Sequence, residues 1–308
     1  MKNLRKLLAF FLSLLLCVSA VGCAGTTPSA EPPAPAAEVS YASAVVSYLG
    51  PEGTYTQEAC GRFFGNEGDY RPYATVNDAV DALVAGESDY AVIPQENTIG
   101  GAVIDYVDTL LVQTAVSVVG EVELPINQNL LALPGAGIED VKTVYSHKQG
   151  IAQGRAWLTE YLPDTEIVEV SSTAEGAKMV ADGGDRSCAA IASAACAEVY
   201  GLNILAAAIQ NNSSNKTRFY VLSTDAPATA PSDRLAFVAT GAAEDLPALM
   251  SQIEKQKLTL VALHDRPQKT ELGQYRYLIE CVGSYEGYRK LTEKCPFDFR
   301  YLGSFPLR

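Results

Sequence analysis

The chain has 308 residues, 48% of them hydrophobic and 19% charged, and a formal net charge of −13. Those proportions exclude a disordered polymer, and the length suffices for two domains of ordinary size. The acidity argues against nucleic acid as a partner, because phosphate recognition needs a basic face.

Residues 1–22 read as a secretory signal peptide. Lys2, Arg5 and Lys6 precede an apolar run over 7–18, and small residues lead to Cys23. Val21-Gly22-Cys23 is similar to a bacterial lipoprotein cleavage site, with Cys23 as the lipidated first residue, although Ala20 stands where such sites prefer Leu. A spanning anchor is the weaker alternative, since the run is too short for a bilayer. Losing the three cations with the leader takes the net charge from −13 to −16. Residues 23–43, rich in Ala, Pro, Ser and Thr, form the lipidated cysteine and a flexible tether. This address predicts an exported chain held on the bacterial cell membrane by lipid. Beyond Cys17 and Cys23, the remaining cysteines show no CxxC spacing and no disulfide framework.

From 44 to 224 the chain alternates strand and helix patterns. Runs 45–49, 90–94, 143–145, 166–170 and 189–192 suit buried strands, with helical patterns over 76–85, 151–161 and 173–181 between them. The alternation predicts an α/β domain with parallel strands. Segments 116–124 and 128–133 are longer and β-rich, as crossing strands between two lobes would be. Residues 225–232 are a linker by composition. Residues 233–308 then follow a βαββαβ order, the ferredoxin-like pattern of a small regulatory domain.

Three strand-to-helix turns, Thr54-x-x-Gln57, Ser146-x-x-Gln149 and Ser172-x-x-Glu175, fit a capping box. Helix N-termini present free N–H groups and a positive dipole end, so converging helix ends could hold a dicarboxylate in an acidic protein. Most capping boxes only cap helices. The glycines of Gly50-Pro51-Glu52-Gly53-Thr54 allow close backbone approach, but match neither phosphate-binding glycine motif. Asn97 and Thr98, past strand 90–94, offer hydrogen bonds, or simply a turn and a cap. His147 reads as a capping or structural histidine, and no ligand spacing supports a metal. Thr217 and Arg218 open a strand over 219–222, and strand mouths are where α/β folds place ligands. Arg218 could bind a carboxylate bidentately or simply pair with one of many surface acids.

Taken in order, residues 50–56, 94–103, 146–153, 172–177 and 215–219 resemble the motifs of the prephenate dehydratase family, and 233–308 resemble the ACT domain that follows in many members. The resemblance implies a bilobal catalytic domain like the type II periplasmic binding proteins, with the site in the cleft. It implies conversion of prephenate to phenylpyruvate in phenylalanine biosynthesis, without metal or organic cofactor, and a homodimer. Thr217 matches the family's catalytic threonine. Thr54, Asn97, Thr98, Thr173, Arg218 and Phe219 are then the candidate substrate-binding residues. Arogenate, which differs only in its side chain, is not separated from prephenate. Thr98 stands where the family commonly has Ser. The ACT segment usually reading Glu-Ser-Arg-Pro is here His264-Asp265-Arg266-Pro267, and the usual Gly-Ala-Leu loop is missing around 244–249. Those segments bind phenylalanine in regulated members, so an allosteric amino acid is the partner these residues argue against. A rival function, favoured by the leader, is a lipid-anchored solute-binding or sensor protein that kept the fold without the chemistry.

Overall fold

The computed structural model describes residues 41, 43–65 and 68–308. The leader, Cys23 and nearly all of the tether lie outside the described residues. The first lobe comprises β1 (Val45–Leu49), α1 (Tyr55–Phe64), β2 (Asp69–Tyr73), α2 (Val76–Val84), β3 (Tyr90–Asn97), β4 (Gly101–Ala102), α3 (Ile104–Val112) and β5 (Ser117–Pro125). The second comprises β6 (Asn129–Ala132), β7 (Thr143–Ser146), α4 (Lys148–Tyr161), β8 (Glu166–Glu169), α5 (Thr173–Gly183), β9 (Cys188–Ala192), α6 (Ala194–Tyr200) and β10 (Asn203–Ala206). Strand β11 (Lys216–Ser223) returns to the first lobe, where it lies between β3 and β5.

The strand orders are β2-β1-β3-β11-β5 and β8-β7-β9-β6-β10. Each lobe therefore repeats one plan: second, first and third strands, then the strand arriving from the other lobe. The parallel sheet expected from the alternation is in fact mixed. Pairs β1–β2, β1–β3, β7–β8 and β7–β9 are parallel, but β11 and β6 run antiparallel to their neighbours because they enter from the opposite lobe. Strand β2 carries little apolar signal: Asp69-Tyr70-Arg71-Pro72-Tyr73 is a half-exposed edge strand, where proline costs no ladder bond.

The C-terminal part adds β12 (Arg234–Ala242), α7 (Leu246–Lys255), β13 (Thr259–Pro267), β14 (Gln274–Val282), α8 (Tyr285–Thr292) and β15 (Asp298–Phe305). They form an antiparallel sheet of order β13-β14-β12-β15, which is the ferredoxin-like arrangement. Period-2 alternation divides its residues cleanly. Leu235, Phe237, Ala239, Ile279 and Cys281 face α7 and α8. Ala236, Val238, Leu278, Leu302 and Phe305 share one core with Tyr106, Leu110, Tyr220 and Leu222 of the first lobe. That face also carries Arg234 and Glu280.

The same alternation splits β11. Tyr220 and Leu222 point into the core shared with the ferredoxin-like sheet, whereas Phe219 and Val221 point into the core under α1. Thr217 shares the parity of Phe219; Arg218 shares that of Tyr220.

Candidate functional site

Strand β11 sets Thr217 opposite Asn97 of β3 and Leu124 of β5. The Thr217 side chain is buried, with 9% exposure. Asn97 is held by an Asx turn: its Oδ1 accepts from the Ile99 and Gly100 N–H groups at 3.0 and 2.9 Å. That orientation turns its amide nitrogen onto β11, where it donates to Thr217 Oγ1 at 2.9 Å and Asn215 Oδ1 at 2.8 Å. The Thr217 oxygen is thus an acceptor for Asn97, and its own hydrogen has no acceptor among the described residues. A hydroxyl held in this way is oriented to donate.

Thr98 is exposed and ties the same two strands. Its N–H donates to Lys216 O at 2.9 Å, and its Oγ1 accepts from Lys216 N at 3.1 Å and donates to Asn215 Oδ1 at 3.2 Å. Asn215 was not among the sequence-derived site residues. It is 1% exposed, and its Nδ2 is a buried donor without a partner among the described residues. Its signal was available, since it lies one residue before β11 and two before Thr217, the spacing at which extended chain repeats its face.

Several helix N-termini of the two lobes meet around these strand ends. Thr54 caps α1: its Oγ1 accepts from Gln57 N at 3.4 Å and donates to Leu49 O at 3.2 Å. Its hydroxyl is therefore spent locally, and what α1 offers is its first-turn N–H groups. Ser172 caps α5 by accepting from Glu175 N at 3.0 Å, which makes the half-buried Thr173 the first helical residue. The cap of α4 is His147, whose Nδ1 accepts from Gln149 N at 3.3 Å, and not Ser146. Ser146 Oγ instead donates to Ile191 O at 2.7 Å inside the sheet. Burial, reinforced by Lys148, lowers the His147 pKa, so the ring caps in its neutral form. Gly150 lets the first turns of α4 and α5 pack together, since a Cβ there would lie 2.5 Å from Ser146 Oγ and 3.1 Å from Thr173 Cγ2.

The lobes touch at two points beside this group. A Cβ on Gly100 would sit 2.5 Å from Gln149 Nε2, so the turn after Asn97 abuts α4. Across the second contact, Ser193 Oγ and Cys196 Sγ donate to Gly53 O at 2.8 and 3.1 Å, and Tyr200 Oη donates to Glu52 O at 2.8 Å. Gly53 has φ of 82° and no room for a Cβ, which would fall 2.9 Å from Cys196 Sγ.

Two expected substrate contacts are placed elsewhere. The Arg218 guanidinium is committed to protein carboxylates: Nη2 donates to Glu96 Oε2 at 2.8 Å, and Nη1 to Glu121 Oε1 at 3.0 Å and Glu280 Oε1 at 2.9 Å. Strand parity turns it away from Thr217 and toward the ferredoxin-like domain. Burial opposes its charge, but Glu280, Glu121 and Glu96 outweigh that effect and hold its pKa above the ordinary arginine value. Phe219 is 1% exposed and packs with Val46, Tyr48, Val92 and Val122, forming core rather than cleft wall.

The segment 264–267 is also partly occupied. Arg266 forms a bidentate pair with Asp108 of α3 at 2.6 and 2.9 Å, and His264 stacks edge-on against Tyr106 at 5.9 Å. The alternate residues Asp265 and Pro267 are exposed. Burial lowers the His264 pKa, with its Nε2 unpartnered among the described residues. No group of three His, Cys, Asp or Glu among the described residues is arranged to hold a metal ion.

This cleft arrangement can place an oriented hydroxyl donor beside helix ends that favour anions. Comparison with known proteins gives it an identity. The family model described as prephenate dehydratase matches residues 46–227. The bifunctional chorismate mutase/prephenate dehydratase of Aquifex aeolicus is 35% identical over 270 residues, covering 85% of this chain and 73% of that protein. The prephenate dehydratase of Mycolicibacterium gilvum is 34% identical, covering 85% of this chain and 90% of its own. Among solved structures, the prephenate dehydratase from Arthrobacter aurescens in complex with L-Phe superposes with a TM-score of 0.77 at 29% identity, over 85% of this chain and 90% of that one. On that match through both lobes, the chain belongs to the prephenate dehydratase family of carbon–oxygen lyases.

Proposed function

We propose that Thr217 is the hydrogen-bond donor to the leaving hydroxyl in the decarboxylative dehydration of prephenate to phenylpyruvate. As the ring carboxylate departs as carbon dioxide, its bonding electron pair moves into the ring. Aromatisation expels the hydroxyl from the opposite carbon as hydroxide, which becomes water on protonation. A threonine hydroxyl is too weak an acid to be ionised at neutral pH, so it stabilises the departing oxygen through a directed hydrogen bond. The observation that carries this reading is the Asn97 amide on Thr217 Oγ1, which leaves the hydroxyl hydrogen free for substrate. The N-terminal turns of α1, α4 and α5, capped by Thr54, His147 and Ser172, supply through their N–H groups the positive potential for the two carboxylates. Asn97 and Thr98 fix the strand ends between them. In purified protein, Thr217→Ala should abolish phenylpyruvate formation above the spontaneous rate while prephenate binding persists, and Thr217→Ser should retain turnover. An alanine variant with most of the wild-type kcat would overturn the assignment.

The finer architecture follows the same reading. The repeated strand plan of the lobes supports kinship with type II periplasmic binding proteins, and the ferredoxin-like order after Arg234 supports an ACT domain and a homodimer built through it. Arg266 and His264 engage α3, which together with the altered segment sequence argues against phenylalanine binding. The leader supports export and lipidation at Cys23.

A further inference from the structure

Glu280 comes from β14 of the ferredoxin-like domain, is 1% exposed, and enters the first lobe beside the catalytic strand. Its Oε1 accepts from Arg218 at 2.9 Å and from Arg234 at 3.1 Å; its Oε2 accepts from Tyr220 at 2.6 Å and Gln95 at 2.8 Å. All four donors converge on one carboxylate, so its place is fixed. Arg218 in turn grips Glu96 at 2.8 Å. Arg218 and Glu96 are paired across β11 and β3, and are the chain neighbours of Thr217 and Asn97, the pair in the next register position. Immediately beyond Arg218 the ladder shifts register, with Phe219 opposite Pro94. A bulge relaxes the regular ladder, so the side-chain tie sits where backbone pairing constrains the strands least.

We infer that Glu280 and Arg218 are positioning residues: the ferredoxin-like domain, through Glu280, holds Arg218 and Glu96 so that Thr217 and Asn97 keep their hydrogen-bonded register. The inference rests on the assignment of Thr217 above. Its functional content is that the catalytic hydroxyl is completed by a residue from the second domain, even though that residue never meets substrate. A displacement of about 1 Å at a catalytic group costs on the order of a hundredfold in rate.

A second interdomain ion pair, Arg266–Asp108, joins the same domains on α3, away from the ladder of β3 and β11, and provides the control. In the full-length protein, Glu280→Gln should lower kcat roughly tenfold to a hundredfold with KM for prephenate changed less than about twofold. Asp108→Asn should leave kcat within about twofold, because it loosens docking without touching the Thr217 register. The side-chain amide resonance of Asn97, followed by 15N NMR, should move in Glu280→Gln and stay in place in Asp108→Asn. Circular dichroism and melting of each variant identify any that has unfolded. Should Glu280→Gln fail to fold, Glu280→Asp, which keeps the charge on a shorter arm, should still shift the Asn97 amide and lower kcat. Equal loss in the Glu280 and Asp108 variants would reduce the cluster to a docking contact, and an unmoved Asn97 amide with unchanged kcat would overturn the inference. If the wild-type enzyme itself shows no turnover, the catalytic assignment fails, and the Asn97 resonance still decides whether Glu280 sets the register.

Discussion

Replacing Asn97 by alanine tests the catalytic geometry without touching Thr217. The amide makes two kinds of bond in the site: Nδ2 donates to Thr217 Oγ1 and Asn215 Oδ1, and Oδ1 accepts from Ile99 N and Gly100 N. Thr217 and Asn215 are 9% and 1% exposed, so water replaces the lost donors poorly. The buried Thr217 Oγ1 left without its donor costs about 1–3 kcal/mol, while Asn215 Oδ1 keeps the Thr98 hydroxyl; part of the cost is recovered if the Thr217 hydroxyl rotates to donate to Asn215. That recovery is itself destructive for catalysis, because it turns the reacting hydrogen away from the substrate. Removing an oriented donor of this kind typically costs roughly 3–4 kcal/mol of transition-state stabilisation, or about 10² to 10³ in kcat. Steady-state assays following phenylpyruvate absorbance, paired with thermal melts, should therefore show a loss in kcat far larger than any change in KM. If Asn97→Ala folds and keeps kcat within about threefold of wild type, Asn97 does not orient Thr217.

Glu121 should make the fold sensitive to pH. Burial, then Glu280, push its pKa up to about 7 from an ordinary 4.5, against the opposing pull of Arg218 and Arg234. A raised carboxyl favours the protonated form in the fold, so its stabilisation is complete below about pH 4.5 and is lost as pH rises through about 7. Glu121→Gln mimics the protonated group, and its unfolding free energy should fall less than that of wild type between pH 5 and 8, by an upper limit of about 3 kcal/mol; parallel stability curves would refute this. Gly53→Ala must strain a backbone at φ of 82° and meet Cys196 Sγ at 2.9 Å; a loss of about 1–3 kcal/mol is expected by chemical denaturation, and unchanged stability would show the loop free to move off α6. The proposed lipidation at Cys23 predicts that the wild-type chain takes up a fatty-acid label and Cys23→Ser does not; an unlabelled wild-type chain would refute it.

The alternation of apolar runs and helical patterns made both α/β lobes legible, because buried strands and amphipathic helices write their periods locally. The βαββαβ order after residue 233 was legible for the same reason. Edge strand β2 was not, since a half-exposed strand with Asp69, Arg71 and Pro72 carries no apolar period. Motif order pointed to Thr217, Asn97 and Thr98, and the structure gathers these three at one strand mouth. Asn215 was within reach of the same reasoning through strand parity alone.

The sequence by itself determined that a hydroxyl would stand at Thr217 with a guanidinium beside it. Tertiary structure alone decided what each of them faces. Successive side chains on a strand point to opposite faces, and which face is cleft depends on what the rest of the chain packs against it. On β11 the odd positions look toward α1 and the lobe junction, while the even ones look toward the ferredoxin-like sheet, whose Glu280 lies 62 positions from Arg218. Arg218 therefore meets Glu280, and no local pattern could have announced a partner supplied by another domain.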